Sequence, residues 1–98
     1  MILHTLNKTS GHIDINKQLS ATVSNTDSII LIENAVYQAP TCTHRSIGHW
    51  SNIVSKVYVL EEDAIARGIS LDLPMISYVN YHDFVELSLS HQKVISWY

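Results

Sequence analysis

The chain has one cysteine, two prolines and three glycines in 98 residues, and only six lysines and arginines. A single Cys42 rules out an internal disulfide, and the missing cysteine pairs argue against a small secreted disulfide scaffold. A reducing, cytoplasmic setting is expected. Gly11, Gly48 and Gly68 stand isolated, with no G-x-G-x-x-G after the first apolar segment, which disfavours dinucleotide and nucleoside triphosphate binding. No G-x-S-x-G marks a nucleophile elbow, so hydrolase chemistry has no foothold. No apolar run approaches about 18 residues, and Met1-Ile2-Leu3-His4-Thr5 is not a basic-then-apolar leader, so neither a membrane span nor a signal peptide is expected. Lys8, Lys17, Arg45, Lys56, Arg67 and Lys93 are scattered, against nine acids, for a net charge of −3. That balance disfavours direct tracking of nucleic-acid phosphates. Charged residues make up 15% of the chain, where a typical domain has about a quarter. A sparsely charged surface suits protein contacts, although a monomer with a Ser-, Thr- and Asn-rich surface has the same composition.

What is present reads as one domain over residues 1–98, because two would leave each half too little core. Five segments have strand length and strand composition: Ile2 to Leu6, Ser28 to Ile32, Lys56 to Leu60, Met75 to Val79 and Val94 to Trp97. Ser28-Ile29-Ile30-Leu31-Ile32 is nearly continuous in apolar residues, the pattern of a strand covered on both faces. Between the strands, Ile15, Leu19 and Val23 form an apolar stripe over Asp14 to Val23, with Asp14 as the expected N-cap. Glu61-Glu62-Asp63 opens a short helix that Arg67-Gly68 closes with a basic end and a C′ glycine. Asn80 caps a helix carrying Phe84, Val85 and Leu89, with Asp83 placed to complete the cap. Ile47, Trp50 and Val54 suggest a further helix over Thr43 to Ser55. The alternation predicts an α/β fold: a mainly parallel five-stranded sheet with helices on both faces, flavodoxin-like, with its accessible edge at the carboxyl ends of the strands.

Few side chains are arranged for chemistry. Lys8-Thr9-Ser10-Gly11 reads as a polar turn entering the first helix rather than an anion cradle. Cys42, in Pro40-Thr41-Cys42-Thr43-His44, is either a reactive persulfide carrier near a helix start or, as lone cysteines more often are, an inert small hydrophobe. Cys42, His44 and His49, with His82 or His91 as a fourth ligand, do not match the spacing of structural zinc sites, so no metal is expected. Glu61, Glu62 and Asp63 are better explained by the helix dipole than by acid–base work. Tyr37, Trp50, Tyr58, Tyr78, Tyr81, Trp97 and Tyr98 supply core or contact area.

Four blocks resemble the DsrH family of sulfurtransferase-complex subunits from end to end. They are Leu3-His4-Thr5-Leu6-Asn7-Lys8; Ile30 to Tyr37; Val57-Tyr58-Val59-Leu60-Glu61-Glu62-Asp63 with Ala66-Arg67-Gly68; and Tyr81 to Leu87 followed by Val94 to Trp97. The resemblance implies a DsrEFH-like fold and a non-catalytic, cofactor-free subunit that forms a dimer of heterotrimers with TusC-like and TusD-like homologues. In that scheme a TusA-like carrier delivers persulfide sulfur, and a TusE-like carrier takes it onward for 2-thiolation of the tRNA wobble uridine. Some relatives from sulfur-oxidising bacteria carry a cysteine in helix one, where Gln18 stands here, which favours the tRNA branch over a DsrEFH-like role in dissimilatory sulfur oxidation. Cys42 inherits no role from the family, and an autonomous persulfide carrier acting through Cys42 stays as the alternative. Ala35 occupies a position where relatives usually have glycine, so the turn after the second strand is expected not to demand a positive φ.

Overall fold

The computed structural model describes residues 1–43 and 49–98. Runs of β-branched and aliphatic residues pair into one five-stranded, all-parallel sheet of β1 (Ile2–Leu6), β2 (Ser28–Leu31), β3 (Lys56–Leu60), β4 (Ile76–Val79) and β5 (Lys93–Trp97). The expected α/β layers are present, with the strand order β4-β3-β2-β1-β5. The chain steps outward three times from β1 and then returns to pair β5 with the far side of β1, whereas a standard flavodoxin sheet reverses after its second strand. β2 lies inside the sheet, and all four of its residues are buried, which accounts for its unbroken apolar run.

Right-handed crossovers send successive connections to one face while the chain moves in one direction, and to the other face when it reverses. The first face carries α1 (Ile13–Thr22), 3₁₀ turns over Glu33–Thr43, one 3₁₀ turn at Trp50–Asn52 and α2 (Glu61–Ala66). Beneath them lies the larger core, which includes Leu6, Leu19, Ile29, Leu31, Val36, Trp50 and Val59. Among the described residues the second face carries α3 (Tyr81–Ser90) alone. Its smaller core of Leu3, Ile30, Ile32, Leu60 and Val79 is met by Phe84 and Leu87 of that helix.

Several local expectations change. Asp14 is not the N-cap of α1: His12 holds that position without a side-chain cap, and Asp14 lies in the first turn, where its charge still favours the dipole. Arg67 is the C-cap of α2, one place beyond the last turn, and Gly68 follows at φ +68° as the C′ residue. Asn80 does cap α3, its Oδ1 accepting from the Asp83 N–H at 2.8 Å. The helix expected over Thr43–Ser55 is replaced, where the chain is described, by the Trp50–Asn52 turn; Ile47 lies outside the described residues. Trp50 is fixed there by burial of its ring and by bonds from its backbone N–H to Ser20 Oγ (3.1 Å) and from its indole N–H to Asn16 Oδ1 (3.2 Å). A tertiary anchor to α1, not a local periodicity, sets its position.

Candidate functional site

The carboxyl edge of the sheet collects the loops after β1, β2 and β3. Glu33, just past β2, has φ +51°, a left-handed conformation that a side chain other than glycine adopts at a cost of about 1–2 kcal/mol. The post-strand turn therefore does require a positive φ, at Glu33 rather than at the buried Ala35. Asp63 Oδ2 accepts the Glu33 backbone N–H at 2.6 Å, and Asn7 Nδ2 donates to Glu33 Oε2 at 3.4 Å. Arg67 closes the cluster, with Nε donating to Asn34 Oδ1 at 3.1 Å and Nη1 lying 3.9 Å from Asp63 Oδ1. Glu62 Oε2 accepts the Tyr81 N–H at 3.0 Å. Thus two of the three acids assigned to the α2 dipole also brace neighbouring segments: Asp63 holds the strained turn and Glu62 holds the start of α3.

Cys42 lies near the end of the 3₁₀ turns, 6% exposed. Its thiol donates to the Gln38 carbonyl oxygen at 3.4 Å, and burial pushes its pKa up to about 12. A thiol held there is almost wholly protonated at neutral pH, which is the opposite of the microenvironment that makes a cysteine nucleophilic.

The described histidines stay apart. His49 caps the Trp50 turn, its Nδ1 accepting from the Ser51 N–H at 3.2 Å, and burial holds its imidazole below the usual histidine range. His82 is exposed on α3 beside Glu86, and His91 Nδ1 lies 2.8 Å from the Leu87 carbonyl oxygen. Cys42 is enclosed in the core, and His44 lies outside the described residues. Among the described residues no three His, Cys, Asp or Glu side chains gather as a metal-ligand set.

A buried polar chain crosses the larger core and has no counterpart in the sequence motifs. His4, on β1, is fully buried; its Nε2 lies 2.9 Å from Asp27 Oδ2, and its Nδ1 accepts the indole N–H of Trp97 at 3.0 Å. Asp27 also accepts the backbone N–H groups of Ile2 (3.2 Å) and Ser24 (3.1 Å). Burial alone would raise the Asp27 pKa, but the bonds from His4, Ser24 and Ile2 outweigh it and hold the carboxyl below its ordinary value. The sequence signal available was a histidine among apolar residues of β1 and an aspartate in the polar turn just before β2.

The second face of the sheet is thinly covered. Phe84 and Leu87 turn inward from α3, but Tyr81 (63% exposed), Val85 (44%) and Leu89 (76%) form a separate stripe at four-residue spacing that faces outward. Between α3 and β5 runs a groove of about 150 Å³, lined by Thr5, Val85, Val94, Ser96 and Tyr98 among others, with no charged side chain in its lining. Of the aromatic residues, Trp50 is buried, Tyr58, Tyr78 and Trp97 are half-buried, and Tyr37, Tyr81 and Tyr98 are exposed. No helix among the described residues is long and apolar enough to cross a membrane.

Against known proteins, residues 12–94 match the family model described as DsrH like protein. The chain belongs to the DsrH family. Within it, the chain is 34% identical to Protein TusB of Enterobacter sp. (strain 638) over 97 residues, covering 98% of this chain and 100% of that one. It is 32% identical to Protein TusB of Escherichia coli (strain K12) with the same coverage. Among solved structures, a Thermotoga maritima protein determined by solution NMR superposes with a TM-score of 0.65 at 24% identity, covering 94% of this chain and 95% of that one. The ychN protein of Escherichia coli superposes at 0.59 and 19% identity, covering 97% of each chain. These two likenesses establish a shared fold for this DsrH-family chain.

Proposed function

We propose that this DsrH-family chain, as one domain over residues 1–98, is a non-catalytic subunit of a cytoplasmic TusBCD-like sulfurtransferase complex. In this reading the complex relays persulfide sulfur toward 2-thiolation of the tRNA wobble uridine, and the chain joins TusC-like and TusD-like homologues in a dimer of heterotrimers. The observation that carries it is the state of Cys42: the chain's single thiol is 6% exposed and its pKa stands at about 12. A persulfide carrier needs an accessible thiolate, so the sulfur-bearing cysteines belong to the partners. Kinship with TusB proteins over the whole chain supports the same assignment.

The α3–β5 face is the subunit contact in this proposal. Exposed Tyr81, Val85, Val94 and Tyr98 line an uncharged groove, with exposed Leu89 one turn beyond Val85 on α3, and interface cores favour aromatic residues and are depleted in charge. Co-expression with TusC-like and TusD-like chains tests both parts. The wild type co-purifies with them, and Leu89→Glu combined with Val85→Glu weakens capture at least about tenfold, the effect of losing one anchor worth roughly 1.4 kcal/mol. The same double variant leaves the isolated chain's stability within about 1 kcal/mol, since both side chains are exposed. Cys42→Ser is expected to leave assembly and tRNA thiolation in place. Loss of thiolation in an intact Cys42→Ser complex would transfer the role to the alternative, a persulfide carrier in its own right.

A further inference from the structure

We infer that the contact between His4 and Trp97 is an acid-released latch on the carboxyl end of β5: the indole is held only while His4 is neutral, and a proton on His4 Nδ1 expels it. An indole N–H donates and never accepts. With Trp97 Nε1 at 3.0 Å, Nδ1 must present its lone pair, so the ring proton sits on Nε2 and is donated to Asp27 at 2.9 Å. Both ring nitrogens are committed, one to each neighbour. The charged ring donates from both nitrogens, so protonation at Nδ1 sets two N–H groups against each other along the Trp97 contact while keeping, and strengthening, the bond to Asp27.

The surroundings channel the response toward Trp97. Asp27 is the one ion-pair partner of His4 among the described residues, and it is itself pinned by the Ile2 and Ser24 N–H groups. The other charged groups on the packed elements stand at the surface: Asp14 and Lys17 on α1, Lys56 on β3 and Lys93 on β5 are all exposed. Trp97, by contrast, is half-buried at the end of an edge strand that pairs only with β1. It is the member of the chain least constrained by its neighbours, and its departure frees the last residues of β5 from the His4 side of the sheet.

The experiment is a pH titration of the uniformly ¹⁵N-labelled full chain by NMR, following the His4 ring nitrogens and the two indole N–H signals, with Trp97→Phe used only to assign them. The expected result is that Nδ1 of His4 takes up a proton and the Trp97 indole loses protection with the same midpoint. Solvent exchange at that indole rises roughly fivefold or more, the factor that one net hydrogen bond represents. The Trp50 indole, bonded to Asn16 and with the His49 ring 4.7 Å away, keeps its exchange protection across the transition. His4→Asn, whose side-chain oxygen takes the place of Nδ1 and does not titrate in this range, abolishes the Trp97 response. Three results each overturn the inference: Nδ1 protonates while the Trp97 signal stays fixed, His4 remains neutral until the whole chain unfolds, or His4→Asn responds like the wild type. Should His4→Asn not fold, coincidence or separation of the two wild-type midpoints decides the matter.

Discussion

Trp50→Ala is expected to destabilise the chain by about 4 kcal/mol, the middle of the range for removing a buried aromatic residue without full collapse of the site. Trp50 is fully buried within the larger core, and it is reached from α1 by two hydrogen bonds, one to its backbone and one to its indole. The substitution empties the space under α1 and leaves Asn16 Oδ1 without the indole N–H. A domain of about this size has roughly 5–15 kcal/mol of total stability, so the variant retains little margin and is a candidate for unfolding at physiological temperature. Urea unfolding measures the effect as a lowered midpoint with an unchanged slope. Trp50→Phe keeps most of the ring volume but loses the indole bond, and should cost about 1–2 kcal/mol. A cost below about 1 kcal/mol for Trp50→Ala would mean that α1 settles onto the vacated space, which would contradict its role as an anchor.

Trp50 also shows where sequence reasoning stops. The five strands are legible because a parallel sheet covered on both sides demands short, nearly unbroken apolar runs, and those runs match the observed strands to within one residue at each end. α2 and α3 are legible because their ends carry local chemistry: three acids, Gly68 at positive φ and the Asn80 cap. The stretch between β2 and β3 has no such punctuation. Trp50 fits a helical period with its apolar neighbours, yet its position is dictated by Ser20 and Asn16, about 30 residues away. Periodicity is equally silent about which of two stripes on α3 faces the sheet. Phe84, Val85 and Leu89 mark the helix by their spacing, but Phe84 and Leu87 pack while Val85 and Leu89 look outward, because among the described residues one helix covers that face. At the carboxyl edge, the acids after β3 were readable as a helix start; their grip on Glu33 and Tyr81 depends on which strands are neighbours. The same holds for Cys42, whose inertness follows from burial that only the tertiary fold supplies.

Asp27 is the second position where one substitution should have a large effect, and the two available substitutions separate charge from shape. Its carboxylate accepts three donors, from Ile2, Ser24 and His4, while its carbonyl oxygen accepts the Ser55 N–H and hydroxyl at 2.9 Å each. The residue thus joins the start of β1, the α1–β2 turn and the start of β3. Asp27→Ala leaves three donors facing a small apolar side chain and is expected to cost about 3 kcal/mol. Asp27→Asn keeps the outline but replaces one accepting oxygen with an NH₂ group. With the amide oxygen toward Ser24 and His4, that NH₂ opposes the Ile2 N–H; turned around, it opposes the other two. A cost of about 2 kcal/mol is expected, with the fold intact. The pH dependence distinguishes the charged group from a merely polar one. The folded-state pKa of Asp27 lies below the ordinary value of 3.8, so its contribution is fully present above that value and disappears as pH falls through the lower, folded one. Unfolding free energies of wild type and Asp27→Asn, measured from pH 7 to below 3.8, should therefore differ by a constant amount above that value and draw together below it. A gap that stays constant over that range would show that the carboxylate's charge contributes nothing beyond its shape.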